Sequence, residues 1–399
     1  MLKRDGVLQL SIQSLQKLEK NKKAKSPRPA DKIQYVSLVA REDVLKADWS
    51  NAPYVAPQGK HTAPYTINWV MSPPSSGGGH QNIFRFIEFL DSKGYKNNVY
   101  IYSTYDNMTI GQARDNVKAY CKAKNLTFRR YKGSMVDADV VFATGWETAY
   151  PVFNDSTTAK KMYFVQDFEP YFYPIGTDYV LAENTYKFGF HGITAGGFLS
   201  DKLSKDYGMS CDHYDFGAET NLYKHTNNGE RKEIFFYARP VTERRGFDLG
   251  IMALEIFHKQ MPEYTINLAG WDVSGWDVPF PYVNHKTMRL EQLSNLYNQS
   301  AAALVISLTN MSLLPLELLA CGTIPVVNDG KNNRLVSNNP NIVYVEPSPS
   351  ALAKALVDTV RSKDITKKAA LASASVKNDG WGTSCQKFED VLVRELTNG

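Results

Sequence analysis

Strand-like and helix-like segments alternate along most of this chain, and the alternation constrains the fold more than any other feature of the sequence. From about residue 64, short apolar runs typical of buried strands are separated by stretches with the spacing of amphipathic helices. Parallel strands joined by crossover helices produce this pattern, because each connection must return across the sheet. The sequence therefore predicts an α/β protein whose parallel sheets are covered by helices on both faces.

The alternation occurs in two successive halves. The elements predicted in the first half are residues 65–71, 83–90, 99–103, 110–122, 140–143 and 162–166. A polar stretch at residues 212–232 is interpreted as the connection between the halves. The elements predicted in the second half are residues 233–237, 248–261, 265–269, 290–299, 303–307, 315–321, 323–327 and 350–361. We therefore expect two doubly wound, Rossmann-like domains that face a central cleft, since ligands bind beyond the carboxyl ends of such strands.

The predicted domain boundaries follow from these halves. Residues 31–220 form the first Rossmann-like domain and residues 221–381 form the second. A last segment, 382–399, is predicted to be a helix that completes the first domain. Residues 1–30 precede this body as a separate amphipathic and basic segment.

The N-terminal segment accounts for the net positive charge of the chain. Residues 1–32 contain nine Lys or Arg and three Asp or Glu, whereas the net charge of the whole chain is +5. We expect no nucleic-acid binding, because that function needs a basic face on the folded body. Residues 7–20 have the apolar spacing of a helix, which would dock on the body or on a second subunit of a homodimer. The alternative is peripheral contact of residues 1–25 with anionic lipid.

Other global features indicate a cytoplasmic location, either free or at the inner face of the membrane. The sequence has no run of 18 apolar residues and no apolar leader followed by a small-residue cleavage site. Its four cysteines lie far apart and form no CxxC pair, which favours reduced thiols. The histidines show no metal-ligand spacing and no DxD motif follows a strand, so we expect no required metal or other cofactor.

The most informative segment is residues 303–328, a buried strand followed by a loop and a helix. Pro315 suits the first turn of that helix because it lacks an N–H that would be unsatisfied there. The free N–H groups of residues 312–316 are predicted to point into the cleft, where they could bind phosphate. Glu317, in the first turn of that helix, is placed to accept hydrogen bonds from two ribose hydroxyls.

A second segment supplies cations. A predicted strand delivers Arg239 at its carboxyl end, and the following turn carries Arg244 and Arg245 just before a helix. Guanidinium groups match phosphate oxygens, so cations from two loops can clamp a diphosphate. Such a clamp would stabilise the negative charge that develops as a nucleoside diphosphate departs. In isolation these arginines could instead cap helices or pair with neighbouring acids.

The two segments together resemble the retaining GT-B glycosyltransferases that use nucleotide sugars. In that family the C-terminal domain reads GR…KG, which Arg239 and Arg245 match, with Arg244 as an alternative. It then reads E-G-F-G-L-P-x-x-E-A-x-A-x-G-x-P-V-V, which is matched here by Leu313, Pro315, Glu317, Ala320, Gly322 and residues 325–327. Residues 216–220, 267–270 and 293–297 resemble further landmarks in the same order. The resemblance spans about residues 64–330.

The sequence also departs from that family pattern. Thr309 stands where the family usually has a glutamate that contacts the transferred sugar. Gln166, followed by Asp167, stands where the family has a histidine, and Thr144 ends the segment that resembles an earlier histidine motif. Residues 163–176 resemble rhamnosyltransferases that use dTDP-L-rhamnose in building bacterial rhamnans, such as those of S-layer glycans. That narrower resemblance implies L-rhamnose as the transferred sugar.

The predicted site has three groups of residues. The resemblance implies donor binding by Arg239, Arg244, Arg245, Gly270, Asn310, Met311, Ser312, Leu313, Leu314 and Glu317. The predicted acceptor and cleft residues are Gly78, Gly79, His80, Thr144, Gln166, Asp167 and Glu169. The predicted catalytic residues are Arg239, Arg245 and Asp167. For the glycine-rich loop and for His80, a plain strand-to-helix turn and a surface histidine are the alternatives.

The function implied is transfer of L-rhamnose from dTDP-L-rhamnose to a growing, lipid-linked polysaccharide with retention of configuration. Because no covalent nucleophile is evident, we favour same-face attack in which the leaving diphosphate helps to take the acceptor proton. A hexosyltransferase using another nucleotide sugar is one alternative. A nucleotide-sugar epimerase of the same fold and a non-catalytic carbohydrate-binding module are two others, although a diphosphate clamp argues against the module.

Overall fold

The computed structural model describes residues 37–399 except Ser76, 377–379 and 398–399. From Leu38 onward the chain forms one compact unit that contains two parallel sheets. The helix predicted at residues 7–20 lies outside the described residues. Among the helices that the structure describes, none is both long enough and apolar enough to cross a membrane.

The first sheet has seven parallel strands in the order β3-β2-β1-β4-β5-β6-β7. Its strands are β1 Thr66–Met71, β2 Lys96–Ile101, β3 Leu126–Arg130, β4 Val140–Ala143, β5 Lys160–Val165, β6 His191–Ala195 and β7 Cys211–Tyr214. Its helices are α1 Arg41–Lys46, α2 Gly78–Ser92, α3 Ile110–Lys118, α4 Trp146–Asn154, α5 Thr177–Asn184 and α6 Gly197–Tyr207. Two short 3₁₀ turns, Glu169–Phe172 and Thr185–Lys187, complete this half. The order changes direction beside β1, so the carboxyl ends of β1 and β4 flank the crevice where such sheets bind ligands.

The second sheet has six parallel strands in the order β10-β9-β8-β11-β12-β13. Its strands are β8 Glu233–Tyr237, β9 Thr265–Ala269, β10 Val283–Lys286, β11 Ser300–Val305, β12 Ile324–Asn328 and β13 Val343–Val345. Its helices are α7 Phe247–Gln260, α8 Leu290–Gln299, α9 Leu314–Ala320, α10 Lys331–Arg334, α11 Pro349–Val360 and α12 Ile365–Ala374. A 3₁₀ turn at Glu243–Arg245 precedes α7. The loops after β8 and β11 therefore leave neighbouring strands at the same edge of the sheet.

The last helix, α13 Gly382–Thr397, returns to the first sheet. Its Phe388 is fully buried and lies 4.8 Å from the ring centre of Phe86 and 5.6 Å from that of Phe142. Tyr95 donates a 2.9 Å hydrogen bond to Glu389 on the same helix. A helix that is last in the chain thus closes the core of the first sheet.

The predicted elements and the structure agree best in the sheet interiors. The strands 140–143, 233–237 and 265–269 and the helix 290–299 have the predicted bounds. The predicted connection, residues 212–232, starts too early, because residues 212–214 belong to β7, whereas residues 215–232 contain no helix or strand. No strand was predicted at β3, β6, β10 or β13. β3 and β10 are partly exposed edge strands that mix polar with apolar residues, so they lack the continuous apolar run of a buried strand. β13 is apolar but only three residues long, and β6 is buried but contains His191, Gly192 and Thr194.

Candidate active site

Three arginines gather where β8 and β11 end. Arg239 follows β8, and the 3₁₀ turn that carries Arg244 and Arg245 ends at Gly246, whose φ is +55°. A Cβ on Gly246 would lie 2.6 Å from Cγ2 of Ile306, so only glycine lets this turn approach the β11 loop. Leu308 N–H donates to the Arg244 carbonyl at 3.1 Å, which ties the turn to the loop after β11. The two predicted cation and donor segments are therefore adjacent.

The arginine side chains have few acceptors. Arg245 donates to Ser307 Oγ at 2.7 Å, and burial together with the Arg244 charge lowers the pKa of Arg245, which remains a cation at neutral pH. The Nε atoms of Arg239 and Arg244 are buried and donate no hydrogen bond within the described part of the chain. Buried donors normally have acceptors. Two such orphan donors on cations indicate a site for an anionic ligand.

Aromatic rings hold these guanidinium groups in place. Cζ of Arg239 lies 5.6 Å from the ring centre of Trp271, and Cζ of Arg244 lies 4.3 Å from that of Phe172. Both distances are within the range of cation–π attraction. Phe172 belongs to the first half of the chain, so the arginines, which belong to the second half, are in contact with a residue of the first half.

Asp167 meets this cluster from the first sheet. It follows β5, it is 9 % exposed, and its Oδ2 accepts a 3.0 Å hydrogen bond from Thr309 Oγ1. The same oxygen lies 3.5 Å from Nε of Arg244 as an ion pair. Burial raises the pKa of Asp167, whereas the charges of Arg244 and Arg245 oppose that rise. A predicted catalytic residue and two predicted donor-binding residues are thus in one electrostatic cluster.

Asn310 and Gln166 join the loops of the two sheets. Nδ2 of Asn310 donates to the carbonyls of Gln166 at 3.1 Å and Ala195 at 3.0 Å. The Gln166 side chain donates to the Gly79 carbonyl at 3.1 Å and accepts from Asn82 at 3.0 Å. The glycine-rich loop, the end of β5 and the loop after β11 therefore form one connected hydrogen-bond network.

Glu317 lies on α9, half-buried, and its carboxylate accepts no hydrogen bond from any residue that the structure describes. Burial raises its pKa to about 7, and the charge of Arg85 partly opposes that rise. Arg85 in turn pairs with Glu219, with 2.7 Å between Nη2 and Oε1. A carboxylate without protein donors at a cleft is suited to bind ligand hydroxyls.

One expectation about the helix start was wrong. Leu316 N–H, predicted to be free, donates to the Leu313 carbonyl at 3.1 Å, because the backbone is already helical at Leu313 and residues 313–316 form a turn. Met311 N–H donates to the Asn332 carbonyl at 3.2 Å. For Ser312, Leu313 and Leu314, no backbone acceptor is seen within the described residues. The N–H groups available to a phosphate are therefore fewer than the sequence suggested.

Several predicted cleft residues are engaged in local structure. His80 lies 3.3 Å from Ser72 Oγ and 3.3 Å from Ser75 N, and burial lowers its pKa, so it braces the glycine-rich loop. Thr144 donates to the Val70 carbonyl at 2.9 Å. Gly78 has open space around it, and Gly79 contacts Gln166. His80 and Thr144 thus make contacts that hold loops and strands together.

Glu169 and Gly270 are also held by the protein. Glu169 is buried and accepts from Tyr163 Oη at 3.0 Å and from Trp146 N–H at 2.5 Å. Burial, followed by the nearby Glu147 carboxylate, raises the pKa of Glu169 well above its usual range. Gly270 has a φ of +114° and donates to the Lys286 carbonyl at 2.7 Å. No direct contact joins these two residues to the Asp167–arginine cluster among the described hydrogen bonds and ion pairs.

Sequence reasoning missed three polar residues of the site. Asn82 and Arg85 lie three positions apart on α2, and Asn82 is 4 % exposed between apolar neighbours. A polar residue inside the buried stripe of a helix was the available signal. Glu219 carried no such signal, because its partner Arg85 is 134 residues away in the chain. The described residues contain no group of three or more His, Cys, Asp or Glu side chains arranged to hold a metal ion.

The architecture is shared with known glycosyltransferase structures. A glycosyltransferase from Rickettsia africae aligns with a TM-score of 0.60 at 14 % identity, over 84 % of this chain and 99 % of that one. Anabaena Alr3699/HepE, solved with UDP and glucose, aligns with a TM-score of 0.61 at 13 % identity, over 82 % and 99 %. TarM aligns with a TM-score of 0.66 at 9 % identity, over 84 % and 99 %. The predicted GT-B fold of two Rossmann-like domains is confirmed.

Fold and family together define the class, which is that of proteins with the GT-B glycosyltransferase fold. The model of the WsaF N-terminal domain matches residues 92–195, and the model of the WsaF C-terminal domain matches residues 232–357. These matches together span more than half of the chain, which therefore belongs to the WsaF family.

One curated relative resembles most of the chain. The O-antigen biosynthesis protein RfbC of Myxococcus xanthus is 32 % identical over 312 residues, which make up 74 % of this chain. The same segment is 24 % of that relative, so the chain spans about a quarter of its length. The relative's name assigns that protein to O-antigen biosynthesis.

Proposed function

We propose that this protein transfers L-rhamnose from dTDP-L-rhamnose to a growing, lipid-linked polysaccharide with retention of anomeric configuration. The observation that carries the proposal is the pair of buried Nε atoms on Arg239 and Arg244, next to Arg245, which make no hydrogen bond within the described part of the chain. A diphosphate supplies the acceptors that these cations lack. Residues 221–381 hold the donor in this proposal, and residues 31–220 hold the acceptor.

Each part of the donor has a counterpart in the chain. Arg239, Arg244 and Arg245 bind the diphosphate and stabilise the charge that grows on it as the glycosidic bond breaks. Glu317 accepts hydrogen bonds from the ribose hydroxyls, because its carboxylate has no described protein donor. The backbone near Ser312, Leu313 and Leu314 adds N–H groups. Gly270, Asn310 and Met311 complete the walls of the donor pocket.

The acceptor lies against the loops of the first sheet. Gly78, Gly79, His80, Thr144, Gln166 and Glu169 form that wall, and Asp167 is a catalytic residue that contacts the reacting sugars. The leaving diphosphate takes the acceptor proton on the face from which it departs, so configuration is retained. Contacts between the two halves exclude water, which limits hydrolysis of the donor.

The identities of the transferred sugar and of the acceptor polymer are proposed from similarity to other proteins. The resemblance of residues 163–176 to rhamnosyltransferases supports rhamnose, and membership of the WsaF family with likeness to an O-antigen biosynthesis protein supports a polysaccharide acceptor. The complex of the Anabaena neighbour with UDP and glucose supports a nucleotide-sugar donor. We further propose that the enzyme works in the cytoplasm without a metal cofactor. Residues 1–25 would contact the inner membrane face or a second subunit.

Calorimetric titration of dTDP, UDP and GDP tests the donor site. We expect dTDP to bind most tightly, and Arg239→Ala and Glu317→Ala to weaken it at least about 10-fold, since each removes a charged contact. Asp358→Asn is a matched control, because this exposed α11 carboxylate pairs with Lys354. Binding that is indifferent to both site variants would refute the proposed pocket.

Product analysis tests the reaction. We expect NMR of the product to show the anomeric configuration of the donor, and an inverted linkage would refute retention. Conversion of dTDP-L-rhamnose to an epimer without acceptor would instead favour the epimerase alternative.

A further inference from the structure

Asp167 is bound mainly by groups of the opposite domain. Its Oδ2 accepts from Thr309 Oγ1 at 3.0 Å and lies 3.5 Å from Arg244 Nε, and both partners belong to the donor half. Within its own half, Oδ1 accepts from Phe168 N–H at 2.9 Å. The negative charge on Oδ2 of Asp167 is therefore balanced by groups of the other domain.

Arg244 is only partly satisfied by this arrangement. Its Nε has no hydrogen bond within the described chain, and its ion pair with Asp167 is longer than a charge-assisted hydrogen bond. Its guanidinium also stacks on Phe172, a residue of the acceptor half. A ligand with two or more anionic oxygens would satisfy Arg244 better than one carboxylate oxygen does.

Two anions cannot share this guanidinium without cost. Like charges at contact distance in a partly buried site repel strongly, because little water screens them. A diphosphate that reaches Arg244 must therefore move the Asp167 carboxylate away or force it to take up a proton. The Thr309 hydroxyl then loses its acceptor as well.

We propose that Asp167 is an internal counter-ion of Arg244 that the diphosphate of the donor displaces, with Thr309 as the positioning residue that holds it there. This proposal rests on the donor site described above and adds to it a competition between carboxylate and donor. Because Oδ2 has no other described partner in the acceptor half, the displaced carboxylate becomes available to an acceptor hydroxyl. Donor binding would thus prepare the acceptor site, and the donor would bind first.

The proposal predicts that altering Asp167 changes dTDP affinity in the direction opposite to that expected of an ordinary contact residue. A residue that merely contacts the donor weakens binding when it is altered, whereas removal of a competing counter-ion strengthens it. Asp167→Asn should therefore bind dTDP roughly 3- to 10-fold more tightly than the wild type, since a modest ion pair no longer opposes binding. Thr309→Val, which changes no charge, should also tighten binding, by a smaller factor.

A double-mutant cycle assigns the effect to Arg244. Arg244→Met should weaken dTDP binding, and in that background Asp167→Asn should no longer strengthen it. Asp358→Asn serves as the charge-matched control and should leave the affinity unchanged. Thermal unfolding of each variant, with and without dTDP, shows that the chain is folded.

The outcomes separate this inference from the proposed donor site. If the wild type binds dTDP and Arg244→Met weakens it, but Asp167→Asn binds dTDP equally or more weakly, the counter-ion role is overturned and the donor site stands. Tightening by Asp167→Asn that persists in the Arg244→Met background also overturns it, because the effect would then be general electrostatics. Absence of dTDP binding in the wild type overturns the donor site itself.

Discussion

Nη2 of Arg85 lies 2.7 Å from Oε1 of Glu219, and this ion pair joins the helix after the glycine-rich loop to the segment that enters the second sheet. Arg85 also stacks over the ring of Trp381 at 4.2 Å. Its charge lowers the pKa of Glu317, whereas the Glu219 charge raises it. A residue of the first half of the chain therefore influences the pKa of Glu317, which we propose binds the donor.

The first prediction concerns pH. Burial raises the pKa of Glu317 to about 7, so the carboxylate that would accept ribose hydrogen bonds is mostly neutral below that pH. We expect dTDP affinity to rise between about pH 6 and pH 8 in the wild type and to be flatter in Glu317→Gln. Calorimetry of both proteins at each pH removes the contribution of the nucleotide's own titration. Equal slopes for the two proteins would contradict the role of Glu317.

The raised pKa of Glu317 also affects stability, but in the opposite direction, because it makes the free energy of unfolding fall as pH rises. The folded chain holds the Glu317 proton more tightly than the unfolded chain does, so its contribution to the free energy of unfolding is full below about pH 4.5. That contribution declines as pH rises through about 7. Urea unfolding of the wild type and Glu317→Gln across this range should show a difference that changes in that direction.

The second prediction concerns Arg85. Arg85→Met removes the charge that favours ionised Glu317 but keeps an apolar stem against Trp381. We expect the rise of dTDP affinity to move to higher pH, with weaker binding at pH 7. Lys118→Met is the control, because Lys118 is an exposed cation paired with Asp115. A pH profile identical to that of the wild type would show that Arg85 does not act on Glu317.

The third prediction tests the turn that presents the arginines. Gly246→Ala combines a left-handed backbone with a Cβ placed 2.6 Å from Ile306, and should lower the free energy of unfolding by about 2–4 kcal/mol. Gly208 has a similar φ of +67° but open space around it, so Gly208→Ala should cost only about 1 kcal/mol. Denaturant unfolding compares the two. Equal losses would mean that the approach to Ile306 is unimportant.

The fourth prediction tests how α13 completes the first sheet. Phe388→Ala deletes a fully buried ring among Phe86, Phe142 and Phe164, and should lower the free energy of unfolding by about 3–5 kcal/mol. Leu371→Ala, at a side chain that is 54 % exposed, should change it by less than about 0.5 kcal/mol. A small effect of Phe388→Ala would show that the terminal helix is dispensable for the core.

Prediction from sequence succeeded where local pattern and buried structure coincide. The strands 233–237 and 265–269 are interior, so their apolar runs marked them with the correct bounds. The edge strands β3 and β10 were not predicted because they are partly exposed and mix polar with apolar residues. The buried strand β6 was not predicted because His191, Gly192 and Thr194 interrupt its apolar run. The hydrogen bond from Leu316 N–H to the Leu313 carbonyl was not predicted either, because residue types alone do not show that the backbone turns over residues 313–316.

The sequence by itself determined the α/β class, the two successive halves, and the positions of Arg239, Arg244, Arg245 and Glu317 at strand or helix ends. These features are encoded by local periodicity and by short motifs. The tertiary structure alone decided that Asp167 meets Thr309 and Arg244, and that Arg85 reaches Glu219 and influences Glu317. Such pairs join residues more than 70 positions apart, and their energies depend on burial and distance, which no local pattern of residues specifies.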